Sequence, residues 1–426
     1  MLKKGNEFVK RIKASLYIRN VATLASGTTL AQIITFFTAP ILYRIYSKVD
    51  YGTLGLYIAI VGVVGVFSSM QYLQPILLEK EDNDAKQIMW LNRLINSGMT
   101  VIVLVTVVLF GDNLGEALGN KALMPWLYLA PISFFFSGQN QIFSIWANRK
   151  KEYRILSLNA ILTAILVPIV SITIGLYHNG PLGLFLGLMI GQIVPPILFF
   201  ITLNRNDVLS LDNFNWKIIK QKSRDHKQFP MYSLPSEFIN RLTNQLPVFM
   251  LSTYAGPAVV GIYNLSVRML GLPIQLIGGA ITQVFQQQAT ESYNAQGHFK
   301  HMFCKTVQLL SIVALPGLLI IIFFGPQLFA FIFGLEWRES GVFAQILVGM
   351  FVLKLIVAPI SYAYYIRNML KENMMIHIYL LISMLIIFFI GFKTFEDYKS
   401  VILLYVINYS FVYILYLLRT YHFSKP

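Results

Sequence analysis

From Ile155 to Asn204 the chain runs for fifty residues without one Asp, Glu, Lys or Arg. A water-soluble domain carries about a quarter charged residues. Here 12% of all residues are charged, 56% are hydrophobic, and the mean hydropathy is +0.62. A hydrocarbon core of about 30 Å is crossed by about 20 helical residues, so that run alone holds two spans. Similar runs recur at 21–45, 54–78, 94–110, 123–146, 155–177 and 182–203, then at 229–254, 258–285, 307–324, 342–366, 374–392 and 401–418. They are continuous, whereas barrel strands alternate apolar with polar residues. The expected fold is all-α: a polytopic membrane protein of about twelve transmembrane helices.

Net charge is +15, a value that can signal nucleic acid, but its distribution follows the membrane. With the first segment in the cytoplasm, 25 of the 34 Lys and Arg fall on cytoplasmic segments and six on outer ones. That is the positive-inside pattern. It places both termini of a multi-pass membrane protein in the cytoplasm and leaves no role for nucleic acid. The basic segment before the first span, with Phe8, Ile12 and Leu16, reads as an interfacial helix rather than a cleavable signal. The one cysteine, Cys304, gives no intrachain disulfide or cysteine metal site.

The longest hydrophilic stretch between spans lies near the midpoint. It divides the chain into an N-terminal six-helix lobe (1–203), a cytoplasmic connector (204–228) partly resting on the membrane surface, and a C-terminal six-helix lobe (229–426). A weak repeat agrees with this. Pro40 precedes Gly55 by fifteen residues, and Pro247 precedes Gly261 by fourteen. Two such lobes in the same orientation would be related by an axis along the membrane normal. Proline occurs in nine spans, where it can bend a helix or act as a hinge.

Three cations, Arg241, Arg268 and Lys354, stand near the middle of apolar spans. A cation at that depth is costly and usually marks a pathway or an anionic ligand. Glu237 lies four residues before Arg241, on the same helix face, so it can serve as counter-ion. Asn264 stands four before Arg268. One acid cannot neutralise three cations, and the excess charge would attract a phosphate or pyrophosphate, with Arg offering paired donors. The other reading is an ion pair that fixes helix packing. The first lobe is polar without charge: Thr28, Gln32 and Thr35 form a stripe, and Gln139, Asn140, Gln141, Asn159 and Gln192 lie in later spans. Such stripes either join helices or line a surface that binds sugar hydroxyls. Arg19 stands at the cytoplasmic end of the first span, where it anchors to headgroups or meets an anionic substrate first. There is no nucleotide-binding loop and no histidine spacing for a metal, so neither catalytic residues nor a cofactor are expected.

Residues 19–34 (RNVATLASGTTLAQII), followed by PILYRIYS at 40–47 and DYG at 50–52, resemble the opening of Wzx-type O-antigen and capsular polysaccharide flippases. These belong to a superfamily shared with the lipid II flippases and the multidrug-exporting MATE transporters. The resemblance implies two six-helix bundles around a central cavity. It implies a flippase of the bacterial cytoplasmic (inner) membrane that moves an undecaprenyl-pyrophosphate-linked oligosaccharide from the cytoplasmic to the outer leaflet by alternating access, for O-antigen (lipopolysaccharide) or capsule synthesis. Arg268, Arg241, Lys354, Asn264, Gln32, Thr28 and Arg19 would then contact substrate, and Glu237 would couple or counter the charge. The lipid-linked oligosaccharide and membrane lipids would be its partners, with a polysaccharide polymerase and glycosyltransferases as further ones. The alternatives are a MATE-like small-molecule antiporter, a lipid II-type flippase, or a scaffold for polysaccharide assembly.

Overall fold

The computed structural model describes residues 2–204, 214–367, 369–395 and 397–425, leaving aside the side chains of 2–22, 24, 203, 204, 280, 283 and 370. Among the described residues the regular structure is helical. Helices of ten residues or more are α1 (Leu2–Ile45), α2 (Lys48–Val64), α3 (Asp82–Ala117), α4 (Ala130–Arg149), α5 (Tyr153–Tyr177), α6 (Leu182–Asn204) and α7 (Trp216–Asp225), then α8 (Leu234–Ala255), α9 (Pro257–Pro273), α10 (Gly279–Gln296), α11 (Lys300–Phe333), α12 (Arg338–Ile360), α13 (Leu370–Thr394) and α14 (Tyr398–Ser424). Ten segments among the described residues are long and apolar enough to cross a membrane. The helices α4 and α8, of 20 and 22 residues, have the length but carry more polar side chains. They stand where the sequence reading put its fourth and seventh spans.

Several boundaries differ from the sequence reading. The second span does not run unbroken to Leu78: α2 gives way to a 3-10 turn at Gly65–Ser68, and Met70 and Gln71 take positive φ. A separate turn of helix then starts on Pro75. Pro131 likewise stands at the beginning of α4, where its missing N–H costs nothing. These two prolines start helices and do not bend them. The basic N-terminal segment is not a separate interfacial helix, because it continues into the first span as one helix of 44 residues. After Pro273, whose nitrogen cannot bond the preceding turn, a π turn at Ile274–Gly278 joins α9 to α10.

The chain forms two compact units. The first comprises Met1–Ser47, Tyr57–Ala117 and Lys121–Arg241. In it α1 packs on α5 and α5 on α6. Gly183, Gly187 and Gly191 recur every fourth residue and put the α6 backbone against Tyr46, Ser171 and Val167. Small residues at that spacing let membrane helices approach closely, where van der Waals contact replaces the missing hydrophobic drive. Tyr46 donates to the Ser171 carbonyl at 2.6 Å, and Ser157 to that of Thr23 at 2.8 Å. A second nucleus gathers Ile76, Ile88, Met89, Ile142, Phe143, Trp146 and Phe199.

The described part of the connector docks in this first unit. Asn215 caps α7 through its side chain, and Ile219 is buried. Lys222 bridges Glu79 at 2.8 Å and Asp84 at 2.5 Å, while His226 reaches Glu79 at 2.8 Å. The Tyr72 hydroxyl donates to the Ser223 carbonyl at 3.0 Å. Burial pushes the Glu79 carboxyl up, but hydrogen bonds from His226 and Lys222 outweigh it and hold the group below its ordinary value. Burial pulls the Lys222 amine down, and its bonds to Asp84 and Glu79 more than reverse this. Residues 205–213 of the connector, including Arg205, Leu209 and Leu211, lie outside the described residues.

The second unit comprises Lys48–Leu56, Leu118–Asn120 and Leu242–Pro426. Here the two glycines of the sequence repeat's neighbourhood meet. A Cβ on Gly52 would overlap the Pro257 carbonyl, and one on Gly261 the Lys48 carbonyl. Each glycine thus faces the residue four before the other, a reciprocal contact that no larger residue fits. Ser266 donates to the Ser340 carbonyl at 2.7 Å and ties α9 to α12. Arg419 grips Glu372 through two bonds of 2.6 Å, joining α14 to α13. Tyr405, Tyr409 and Tyr416 line the buried face of α14.

Candidate functional site

The cations predicted from sequence fall on three helices, and their surroundings differ. On α8, Arg241 bonds Glu237 at 2.7 Å across one turn, as the spacing predicts. The pair is not buried, since the arginine side chain is 55% and the glutamate 32% exposed. Arg268 on α9 is exposed as well, and it is held by interactions within the protein. Neither guanidinium is buried within the protein. A long side chain can carry its charge out along an apolar stem, and sequence depth alone does not fix its direction. Lys354 on α12 is half-buried, with its ammonium 5.6 Å from the Phe351 ring centroid. Among the described residues it has no acidic partner. The helices α9 and α12 pack on each other within the second unit.

Asn264 is the other polar residue of α9. Its amide does not accompany Arg268 outward but lies against Gly55, and its Nδ2 is buried without a hydrogen-bond partner. An unsatisfied buried donor costs about 1–3 kcal/mol, so the position carries an expense that packing alone does not require.

On α1 the polar stripe divides by chemistry. Thr28 donates to the Ala25 carbonyl at 3.0 Å and Thr35 to that of Ala31 at 2.9 Å. Both hydroxyls are thus turned toward their own helix, a common use of Thr in spans, and offer little to a ligand. Gln32 is different: its Oε1 is buried and without a partner. The same holds for Asn140 Oδ1, Gln192 Oε1 and both side-chain polar atoms of Asn159. The Arg19 side chain lies outside the described residues.

One cation was missed altogether. Arg93, counted in sequence with the loop preceding the third span, lies within α3. Its guanidinium stacks 4.6 Å from the Trp90 ring centroid and 5.8 Å from that of Phe143. No sequence signal separated it from the neighbouring loop charges. Among the described residues, no group of three or more His, Cys, Asp or Glu could hold a metal ion.

A family model described as polysaccharide biosynthesis protein matches residues 41–342. The lipopolysaccharide biosynthesis protein WzxC of Escherichia coli (strain K12) is 23% identical over 328 residues, which are 75% of this chain and 64% of that protein. The chain therefore spans less than two thirds of that relative's length. The teichuronic acid biosynthesis protein TuaB of Bacillus subtilis (strain 168) is 21% identical over 136 residues, 32% of this chain and 28% of that one. Among solved structures, the lipid II flippase MurJ in an inward closed conformation superposes with a TM-score of 0.71 at 16% identity, covering 93% of this chain and 86% of that one. An inward-facing MATE-family multidrug resistance transporter gives 0.67 at 15%, covering 92% and 93%. At such identities the superpositions establish the fold.

Proposed function

The chain belongs to the polysaccharide biosynthesis protein family, and from that premise we propose that it is a flippase for a lipid-linked oligosaccharide. In this reading it carries an undecaprenyl-pyrophosphate-linked repeat unit from the cytoplasmic to the outer leaflet by alternating access, serving O-antigen or capsule synthesis, and both its termini face the cytoplasm. A pyrophosphate and its sugars cannot enter hydrocarbon unaided, because the lost hydration is prohibitive. The protein has to supply charge and hydrogen bonds along the way.

The observation that carries the reading is a family member with Arg241, Arg268 and Lys354 near the middle of its apolar runs, where the sequence places one carboxylate, Glu237, engaged by Arg241. Arg268 and Lys354 stand on packed helices and are assigned to the phosphates. Arg241 joins them when Glu237 is protonated and releases it, which gives a route for a proton gradient to bias the cycle. Gln32 and Asn264, with unsatisfied amide atoms, are assigned to sugar hydroxyls, and Arg19 to first encounter with the headgroup. Thr28 is kept only as a wall residue. A polymerase and glycosyltransferases are the expected working partners.

The test is replacement of Arg268 and Lys354 by Ala in cells whose own copy is deleted. Loss of surface polysaccharide with unchanged drug sensitivity supports the flippase. Loss of drug export with intact polysaccharide would instead favour a small-molecule antiporter.

A further inference from the structure

Arg93 is a cation of the first unit that no role assigned above absorbs. Among the described residues it has neither an ion pair nor a hydrogen bond, and its contacts are the faces of Trp90 and Phe143. A guanidinium stacked on rings keeps its N–H edges outward and available. Those edges meet a cleft of about 160 Å³ lined by Arg93, Phe135, Gln139, Phe143, Pro196 and Phe200. Gln139 is the cleft's neutral polar group, and its side chain is largely buried. The rim is apolar: Ile197 and Phe200, on one face of α6, are 45% and 44% exposed.

The depth of this cleft follows from the sequence. From Leu94 to Gly111 the third span has eighteen residues without charge, bounded by Arg93 and Asp112. At 1.5 Å per residue that is about 27 Å, close to the roughly 30 Å of a hydrocarbon core. Arg93 therefore lies at one edge of the hydrocarbon, the level of lipid phosphates. A basic pocket among spanning helices at that level recognises an anionic headgroup by charge and an acyl chain by apolar contact.

We propose that the cleft between α3, α4 and α6 is a binding site for an anionic phospholipid of the bilayer. The Arg93 guanidinium donates to the phosphate oxygens, and the Gln139 amide donates to the headgroup or ester oxygens. One acyl chain lies over Phe135, Pro196, Ile197 and Phe200. The bound lipid supplies the negative charge that the protein does not provide for Arg93. Because Trp90 also packs edge-on against Phe214 beside the connector helix, 5.9 Å between centroids, the lipid would brace the docking of α7 as well.

The experiment is native mass spectrometry of the purified full chain, offered phosphatidylglycerol, phosphatidylcholine, inorganic phosphate or a prenyl pyrophosphate. The unaltered protein is expected to retain one phosphatidylglycerol at about tenfold higher occupancy than phosphatidylcholine, the step that about 1.4 kcal/mol of charge-assisted bonding gives. Arg93→Gln should lower it to the phosphatidylcholine level, and Arg93→Lys should keep part of the preference. A photoactivatable phosphatidylglycerol reads the same site without any substitution, with crosslinks expected at residues 135–143 and 196–200. Equal phosphatidylglycerol retention by Arg93→Gln, or crosslinks confined to other surfaces, overturns the proposal. So does inorganic phosphate binding that matches the lipid, which makes the site a free-anion site. Displacement of phosphatidylglycerol by equimolar prenyl pyrophosphate would assign the cleft to the carrier lipid and also overturn it.

Discussion

The bundle of α1, α5 and α6 and the pair α9 and α12 meet the same requirement, polar groups inside apolar spans, with opposite chemistry. In the bundle the polar groups are neutral amides, Gln32, Asn159 and Gln192, each with a buried atom that finds no partner. Glycines and hydroxyls hold its backbones close. In the pair the polar groups are a guanidinium and an ammonium, Arg268 and Lys354, on helices joined by a serine bond to the Ser340 carbonyl. A neutral amide tolerates apolar surroundings at about 1–3 kcal/mol when unsatisfied, whereas an ion there demands a counter-charge or water. Under the proposed function the bundle would make many weak contacts with uncharged groups, and the pair one strong contact with an anion.

The comparison depends on the second unit holding its shape, and the reciprocal glycines test that first. Gly52→Val or Gly261→Val places carbon on a backbone carbonyl that cannot turn aside. Overpacking commonly costs about 1–3 kcal/mol and more where the obstacle is rigid. Most of the folded yield should be lost, read as monodisperse protein after extraction. The same change at Gly62, where nothing stands within 4 Å, should leave the yield intact.

A smaller effect separates the two regions directly. Arg268→Ala should remove polysaccharide export while the protein stays folded, and Arg268→Lys should retain a fraction because the charge survives without the paired donors. Gln32→Ala should lower export several-fold at most, since one neutral hydrogen bond is worth about 0.5–1.5 kcal/mol. If Gln32→Ala were the more damaging of the two, the assignment of strong and weak contacts would be reversed.

The smallest effect concerns the connector, which both regions leave untouched. Glu79 is held below its ordinary value, so its contribution to docking α7 is present above the unfolded value and is lost as pH falls through the lowered folded one. Lys222 is raised, so its contribution is lost only as pH climbs through a value above its ordinary one. With ordinary values of about 4.3 and 10.4, docking should hold from about pH 4.5 to 10. The fluorescence of Trp90 and Trp216 reports it. Glu79→Gln should loosen the docking near neutral pH; an unchanged signal there would dissociate the ion cluster from the connector's position.

Much of this was legible in the sequence. The family resemblance read from residues 19–57 is borne out by the match over residues 41–342. The helical class and the ten membrane-length apolar segments follow from runs nearly free of charge, because hydrocarbon imposes its thickness on the chain. The Glu237–Arg241 pair followed from helical spacing. The direction of a long cationic side chain did not, since Arg241 and Arg268 sit centrally in their spans yet reach an exposed surface. The glycine contact was half visible as a repeat, but which backbone each glycine meets is a property of tertiary packing. Arg93 escaped notice because in sequence it follows Lys80 and Lys86 at the end of a polar segment, and only its stacking on Trp90 sets it apart.

The central claim is that cations in the spans carry a lipid-linked pyrophosphate across the membrane. Purified protein reconstituted into liposomes holding a fluorescent prenyl-pyrophosphate oligosaccharide measures it directly, through the fraction of label that becomes accessible to an external quencher. The account predicts rapid exposure with the unaltered protein, none above empty liposomes with Arg268→Ala, and acceleration by a pH gradient that vanishes in Glu237→Gln. Equal rates for the unaltered protein and Arg268→Ala, or no movement by either, would contradict it.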